Sequence, residues 1–247
     1  MCGRYTLTKK EHDTLADRFE AKLASTVSEK AKEEKAKGHD PPGTGRFNVA
    51  PTQEVLAIVR DGGDDAEREM RLLRWGLLPK WAKDLNAGYK MINAKAETIN
   101  EKRTYKPLVG KIHHRCLIVA DGFYEWMKAE DPKQPRQPVR FTVDGGEPFA
   151  FAGLWTRAKI EDEWIESCTL ITTNPNDVVK RVHNRMPVIF PSSGAEATWL
   201  DPGLEAEDAL ELCVPFPAER MESAPANPEL NKVGGAPEGP DLLVAPA

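Results

Sequence analysis

The fold is decided by one stretch, Arg115-Cys116-Leu117-Ile118-Val119-Ala120-Asp121-Gly122-Phe123-Tyr124-Glu125-Trp126. It contains two candidate strands that follow each other with no helix between them. Three more candidate strands follow it in the chain. Together the five candidates are 115–120, 123–127, 139–144, 149–155 and 164–173. Strands that are sequential, and do not alternate with helices, favour an antiparallel sheet over a parallel one.

The remaining pattern agrees with this interpretation. Two short apolar runs, 54–60 and 70–75, flank Gly62-Gly63-Asp64-Asp65 and predict two strands joined by a hairpin-like loop. Helical patterns are few and occur near 96–104, 175–182, 194–200 and 205–213. The chain is therefore predicted to be a single α+β domain, built on a mostly antiparallel, barrel-like β-sheet with flanking helices.

The N-terminal region carries a helix-start signal. Thr8 and Glu11 have the spacing of a capping box, and Leu15 and Phe19 follow at helical spacing. These residues predict a helix over about residues 9–24.

Two segments are poor in apolar residues and are expected to lie outside the core. Residues 28–38 mix both charges without an apolar stripe, which predicts an exposed helical extension or a disordered insertion within about 25–43. Many prolines and glycines follow Pro215. We therefore place a catalytic domain at 1–222 and a flexible tail at 223–247, and expect both segments to be dispensable for activity.

Composition excludes several classes of protein. A chain of 247 residues with 40% hydrophobic content can bury one large core. The cysteines, at positions 2, 116, 168 and 213, lack the Cys-x-x-Cys spacing of a zinc site, and they indicate intracellular thiols. No apolar run reaches the roughly 20 residues needed to span a membrane. We expect a monomer in the cytosol or nucleoid, or in the nucleus of a eukaryote.

Charge is distributed unevenly along the chain. The net charge is −5, which argues against a general nucleic-acid binder. Residues 71–115, however, hold eleven Lys or Arg against three Asp or Glu, whereas residues 201–247 hold ten acids against two bases. The basic middle can attract phosphates if it lines one face, and otherwise it is an ordinary solvated surface.

The first residues suggest a specific chemistry. Removal of Met1 would leave Cys2 with an α-amine and a thiol on neighbouring carbons, and these groups titrate at roughly 7.7–8.0 and 8.5 in model peptides. An aldehyde condenses with such an amine to an imine, which the sulfur closes into a thiazolidine ring. The ordinary alternative is a buried cysteine with no chemical role.

Three further residues can assist chemistry. Asn93 can donate to and accept from a sugar hydroxyl or an amine. Glu125 is flanked by aromatic residues that would raise the pKa of its carboxyl by desolvation, which suits a proton shuttle. His183 can exchange a proton near neutral pH. Their structural alternatives are a turn residue, an exposed strand residue and a histidine bonded at a helix end.

Other residues are candidates for binding DNA. Trp75 and Trp81 lie beside cations and can stack the bases of a single strand, although core burial is the alternative for each. Arg4 and Arg185 can hold phosphate oxygens in a bidentate manner.

Several separated stretches resemble the SOS response-associated peptidase family, also called abasic-site processing proteins. In order they are Met1-Cys2-Gly3-Arg4-Tyr5, Arg46-Phe47-Asn48-Val49-Ala50-Pro51, Arg74-Trp75-Gly76-Leu77-Leu78-Pro79, Ile92-Asn93-Ala94-Lys95-Ala96-Glu97-Thr98, the stretch 115–126, Phe151-Ala152-Gly153-Leu154-Trp155, and His183-Asn184-Arg185-Met186-Pro187-Val188. They cover roughly residues 1–200. The family usually has Arg where this chain has Lys95, which keeps the charge but loses the planar fork.

The resemblance implies a DNA-damage protein, acting in DNA repair and the SOS response, that captures abasic sites in single-stranded DNA through Cys2. It places Asn93, Glu125 and His183 around Cys2, with roles in orienting the sugar, relaying protons and opening the sugar ring. Lys95 would join the DNA-binding residues. Lyase activity and self-removal of Met1 are also implied, and no metal or organic cofactor is needed.

Two other classes of function stay open. The chain could be a peptidase in which Cys2 is an N-terminal nucleophile and Glu125 or His183 is its base. It could also be a non-catalytic module that binds single-stranded DNA, for which the basic segment and the tryptophans would suffice.

Overall fold

The computed structural model describes residues 2–62, 66–128, 131, 133–232 and 237–246. Its strands are β1 Arg4–Leu7, β2 Lys22–Leu23, β3 Arg46–Val49, β4 Glu54–Val59, β5 Glu69–Trp75, β6 Asn93–Lys95, β7 Arg115–Ala120, β8 Gly122–Met127, β9 Gln137–Val143, β10 Phe149–Ile160, β11 Glu163–Thr173, β12 Met186–Pro187 and β13 Met221–Pro225. Its α-helices are α1 His12–Arg18, α2 Ser25–Ala36, α3 Lys106–Val109, α4 Ser193–Trp199 and α5 Ala206–Glu211. Within the described ranges, no helix is both long enough and apolar enough to cross a bilayer.

Five strands form a closed barrel. β10 pairs antiparallel with β11 and β7, and β4 pairs antiparallel with β7 and β5. The ring closes where β5 meets β11 in parallel, with Arg74 opposite Ser167 and Trp75 opposite Cys168. β7 is buried along its whole length, and β10 along most of it, as expected for strands that line a core. The prediction of a single, mostly antiparallel, barrel-like α+β domain is confirmed.

A second sheet packs beside the barrel in the strand order β13, β9, β8, β1, β3. Aromatic side chains from both sheets meet in the core between them. The ring of Tyr5 on β1 lies 5.4 Å from Trp75 and 5.7 Å from Phe151, both on barrel strands. These contacts fix β1, and with it the N-terminal residues, against the barrel.

The turn between β7 and β8 also anchors β1. Asp121 is buried, and its carboxylate accepts hydrogen bonds from the hydroxyl of Thr6 at 2.6 Å and from the hydroxyl and backbone N–H of Thr8 at 2.6 and 2.5 Å. A buried carboxylate needs such donors, because without them its desolvation would be costly. The predicted capping box is therefore wrong: Thr8 binds Asp121, and α1 begins after Glu11 with no side-chain cap.

Most of the predicted helices are shorter than expected, whereas α4, Ser193–Trp199, has the expected seven residues. α1 covers only seven residues of the expected 9–24, and the chain then forms the short strand β2. Segment 96–104 contains the 3₁₀ helix Ala96–Glu101, and segment 175–182 contains the 3₁₀ helix Val179–Arg181. Segments 194–200 and 205–213 contain α4 and α5. Most of the loop expected between β4 and β5, at 63–65, lies outside the described residues.

The charged insertion is helical, as one of the two interpretations predicted. α2 exposes most of its length but buries Val27 completely. Val27 lies just before residues 28–38, and none of those eleven residues is buried, as expected.

The expected flexible tail is packed where the structure describes it. β13 crosses the predicted boundary at residue 222 and pairs with β9. Leu230 and Leu242 are buried against Tyr124 in a small cluster of apolar side chains. The premise that residues 223–247 lack core residues is therefore wrong, because this cluster covers the outer face of β8.

A loop at 76–91 leaves the barrel after β5 and returns before β6. Its neck is narrow: Leu77 donates its backbone N–H to the carbonyl of Met91 at 3.1 Å. Gly76 and Gly88 meet backbone to backbone there, since a Cβ on Gly76 would lie 2.8 Å from the carbonyl oxygen of Gly88. Gly76 also has a φ of +126°, which favours glycine. The loop is thus closed at its base.

Candidate functional site

Cys2 is fully buried just before β1, between the barrel and the second sheet. Its thiol points towards the carbonyl oxygen of Arg4, with sulfur and oxygen 3.7 Å apart. Burial raises the pKa of this thiol far above its ordinary range, and the negative charge of Glu125 raises it further. The sulfur is therefore held as a neutral thiol until a base removes its proton.

Asn93 is the first residue of β6 and is placed by the parallel pairing of β6 with β11, where it lies opposite Leu170. Its side-chain amide donates to the carbonyl oxygen of Cys2 at 2.8 Å. Its Oδ1 atom is buried, and no hydrogen bond to it is present among the described residues. Asn93 thus fixes the backbone of Cys2 and offers one acceptor at the same place.

Glu125 and His183 converge on the same site from two other directions. Glu125 lies on β8 with 3% of its surface exposed, and His183 follows the 3₁₀ helix Val179–Arg181. The Nδ1 atom of His183 lies 3.8 Å from Oε1 of Glu125 and accepts the backbone N–H of Arg185 at 3.1 Å. The structure thus brings Cys2, Asn93, Glu125 and His183 together.

Burial shifts the pKa values of Glu125 and His183 in opposite directions. It raises the pKa of Glu125 from 4.5 to about 7, and it lowers the pKa of His183 below its ordinary 6.5. Near neutral pH, Glu125 is therefore close to half protonated and His183 is mainly neutral. A carboxyl with this pKa can both take up and release a proton at working pH.

The raised pKa of Glu125 predicts a pH-dependent stability. The folded protein binds this proton more tightly than the unfolded chain, so the stabilisation is complete below about pH 4.5 and is lost as pH rises through about 7. Relative to Glu125→Gln, the wild type should lose about 3 kcal/mol of unfolding free energy over this interval. Denaturant unfolding at a series of pH values measures it. The exposed Glu222→Gln variant is the control, and an unchanged pH profile in Glu125→Gln would contradict the assignment.

Two of the predicted phosphate ligands, Arg4 and Arg185, are already held by the protein. Arg185 makes a bidentate ion pair with Glu97, at 2.7 and 2.8 Å, and donates to the carbonyl oxygen of Thr172 at 2.6 Å. Arg4 donates to Oδ1 of Asn48 at 3.2 Å. These contacts fix the direction of each guanidinium, so little side-chain entropy is left to lose on binding.

The two tryptophans have different environments. Trp75 is 1% exposed, its indole N–H donates to the carbonyl oxygen of Ile92 at 3.0 Å, and it packs on Tyr5. The prediction that Trp75 stacks on bases is therefore wrong, because it belongs to the core. Trp81, in the 76–91 loop, is 67% exposed and remains a candidate. Lys95 is exposed at the end of β6.

Three residues with clear structural roles were not singled out from the sequence. Glu97 orients Arg185, Asn48 orients Arg4, and Asp121 anchors β1. Each is a polar residue inside one of the family-like stretches. A polar residue at a mainly apolar strand or turn was the signal that could have found them.

The described residues contain no group of three or more His, Cys, Asp or Glu side chains arranged to hold a metal ion. Cys2, Cys116, Cys168 and Cys213 are all buried free thiols. Met1, whose removal the predicted chemistry of Cys2 would require, lies outside the described residues.

Comparison with other sequences finds relatives that align with most of this chain. The abasic site processing protein YoaM of Bacillus subtilis is 40% identical over 226 residues, which cover 90% of this chain and 89% of that protein. YoqW of the same organism, an abasic site processing protein by name, is 41% identical over 90% of this chain and 91% of its own length. The abasic site processing protein HMCES of Gallus gallus is 32% identical over 75% of this chain and 60% of its own length.

Solved structures have the same fold. A crystal structure of a protein from Bacteroides thetaiotaomicron superposes with a TM-score of 0.80 at 24% identity, over the full length of both chains. A second, from Bordetella bronchiseptica, has a TM-score of 0.69 at 28% identity over 92% of this chain and 100% of the other. The model of the SOS response associated peptidase (SRAP) family matches residues 1–233. The chain therefore belongs to the SRAP family.

Proposed function

We propose that this protein acts in the response to DNA damage and captures abasic sites in single-stranded DNA by a covalent bond to Cys2. The relatives from Bacillus subtilis and Gallus gallus are named abasic site processing proteins, which supports the substrate class. The observation that supports the chemistry most is the position of Cys2, which is fully buried and whose carbonyl is held by Asn93.

The proposed reaction consumes an aldehyde and releases water. An abasic deoxyribose opens to an aldehyde, and the free α-amine of Cys2 attacks its carbonyl carbon. The resulting carbinolamine loses water to give an imine. The sulfur of Cys2 then adds to the imine carbon, the thiol proton moves to the nitrogen, and a five-membered thiazolidine ring results. The product contains one carbon–nitrogen bond and one carbon–sulfur bond to the sugar.

The surrounding residues have separate tasks in this scheme. Glu125, with a pKa of about 7, donates a proton to the departing hydroxyl and accepts the proton from the buried thiol. His183 assists opening of the sugar ring, which needs a group that exchanges protons in its neutral form. Asn93 offers its Oδ1 atom to a hydroxyl of the sugar or to the amine.

Two further activities belong to the same proposal. The imine can lose the phosphate on the 3′ side of the sugar by β-elimination, which cleaves the strand and makes the protein a lyase. Met1 must leave before capture, by an aminopeptidase or by self-processing with Glu125 as the base. A peptidase that acts on other chains is a separate function, and it predicts cleavage of a peptide substrate with no DNA adduct.

Flanking DNA would be held by Arg4, Lys95 and Arg185, and a base would stack on Trp81. With Trp75 in the core, Trp81 is the tryptophan of the pair that can take this role. We place this activity where DNA is, in the nucleoid or in a nucleus.

Single strands and single-strand to double-strand junctions should react faster than an abasic site inside a duplex. A base can lie on the indole ring of Trp81 only after it has left its neighbours, which a paired duplex resists. Trp81→Ala should weaken single-strand binding by about 1–3 kcal/mol and reduce the strand preference. Capture rates on the two substrates at matched salt measure this. The control is Trp164→Ala, which removes another exposed tryptophan. Equal rates on both substrates would count against stacking.

A denaturing gel tests the proposed function as a whole. The protein is mixed with single-stranded DNA that carries one abasic site, and covalent capture predicts a shifted band that survives denaturation. A non-catalytic binding module predicts a shift on native gels only.

A further inference from the structure

The outer edge of β3 carries an anion-binding arrangement. β3 is the last strand of the second sheet, and one of its edges has no partner strand among the residues that the structure describes. On this edge the Nε atom of Arg46 and the backbone N–H of Phe47 donate to the two carboxylate oxygens of Glu238, at 3.0 and 2.8 Å. One guanidinium and one backbone N–H thus hold a single anionic group between them.

The neighbouring contacts extend the same pattern. The side-chain amide of Asn48 donates to the carbonyl oxygen of Pro237 at 3.1 Å. Arg4 donates to the carbonyl oxygen of Leu230 at 3.4 Å. In these four contacts residues of β1 and β3 supply the donors, and the C-terminal segment supplies only acceptors. A phosphodiester backbone also presents acceptors alone and carries negative charge.

We propose that the outer edge of β3 is a binding site for DNA phosphate that Glu238 occupies from within the same chain. The inference rests on the proposed function and adds a contact outside the Cys2 site. β3 is paired with β1, with Tyr5 opposite Val49, so this edge lies one strand away from the chain that carries Cys2. Arg4 belongs to both regions, which makes the edge a continuation of the path that the flanking strand follows.

The carboxylate of Glu238 is held weakly enough for a DNA phosphate to displace it. The side chains of Arg46 and Glu238 are 27% and 38% exposed, so their ion pair is screened by water and contributes little to stability. Leu230 and Leu242, buried against Tyr124, anchor the segment on both sides of Glu238. When the Glu238 carboxylate leaves, the guanidinium of Arg46 and the backbone N–H of Phe47 can bind another anion, while the C-terminal segment stays packed. Glu238 also lies beyond residue 233, where the match to the family model ends.

The test uses the full chain with Cys2→Ala, so that only reversible binding is measured. Fluorescence anisotropy with single-stranded DNA carrying a tetrahydrofuran abasic analogue gives the dissociation constant at several salt concentrations. Glu238→Ala should lower this constant about three- to tenfold and steepen the salt dependence by about 0.7, the value for one additional phosphate contact on a single strand. Adding Arg46→Ala to Glu238→Ala should remove the gain. Glu222→Ala is the matched control, since Glu222 is an exposed acid on β13.

The outcomes separate this proposal from the proposed function. If Glu238→Ala matches Glu222→Ala in affinity and salt slope, the ion pair only fastens the segment, and the phosphate site is refuted even when the wild type forms the covalent adduct. If Glu238→Ala tightens binding in the presence of Arg46→Ala, the gain comes from net charge and the site is again refuted. If no variant binds the DNA and the wild type forms no adduct, both proposals fail.

Discussion

Cys2→Ala is expected to abolish the denaturation-stable adduct with abasic single-stranded DNA. The variant keeps its α-amine and can still form an imine, but it has no sulfur to close the ring, and an imine hydrolyses on denaturation. Side-chain volume hardly changes at this buried position, so the fold should persist at a cost of about 1 kcal/mol. The measurement is the shifted band on a denaturing gel, with circular dichroism to check folding.

Two companion variants sharpen this experiment. Cys2→Ser should give an imine that borohydride traps and that is lost without it. Cys116→Ala removes another fully buried thiol, on the barrel strand β7, and should form the adduct as the wild type does. Recovery of a heat-stable adduct from Cys2→Ala would refute the thiazolidine mechanism.

Blocking the amine of Cys2 should have an equally large effect. When a residue precedes Cys2, its nitrogen belongs to a planar amide whose lone pair is delocalised into the carbonyl, so it cannot attack an aldehyde. The thiol alone gives only a labile hemithioacetal. A protein with extra residues before Met1 should therefore fold and bind DNA but form no stable adduct.

Mass spectrometry and binding measurements together test whether the adduct requires a free α-amine on Cys2. Active protein should have an intact mass that lacks one methionine, and the extended protein should retain its added residues. Anisotropy should give a similar affinity for both, because Arg4, Lys95, Trp81 and Arg185 are unchanged. A stable adduct from the extended protein would contradict the proposed role of the amine.

The strand pattern was predictable because it depends on local sequence, whereas closure of the barrel was not. Antiparallel neighbours such as β10 and β11, which only residues 161 and 162 separate, follow from apolar runs close in the chain. The closing contact joins Trp75 to Cys168 across more than ninety residues of sequence, in parallel. No local pattern specifies such a register, since it results from packing of the whole core.

The same limit explains which site residues were predicted. Resemblance to the family indicated Cys2, Asn93, Glu125 and His183, and the structure brings them together. The sequence could not separate Trp75 from Trp81, because each is a tryptophan that follows a cation, Arg74 or Lys80, within one short segment. Burial of Trp75 depends on Tyr5 and on the carbonyl of Ile92, which are distant in sequence.

The predictions of a capping box and of a flexible tail were wrong for a related reason. Thr8 has the right spacing to Glu11, and in a capping box its hydroxyl would accept the backbone N–H of Glu11. Instead the hydroxyl donates to Asp121, more than a hundred residues away. Residues 223–247 are rich in proline and glycine, yet Leu230 and Leu242 suffice to fasten them to Tyr124. Composition gives the average apolar content of a segment, whereas packing of the segment against the core depends on a few of its side chains.

The closed neck of the 76–91 loop separates two properties that evolution can change independently. Gly76 and Gly88 hold the base of the loop together, and Leu77 and Leu78 are buried beside it. The exposed residues between them, Trp81 and 83–86, can therefore be exchanged without moving β5 or β6. Such exchanges would alter the surface around Trp81, and with it the proposed preference for particular DNA contexts, while Asn93 keeps its place beside Cys2.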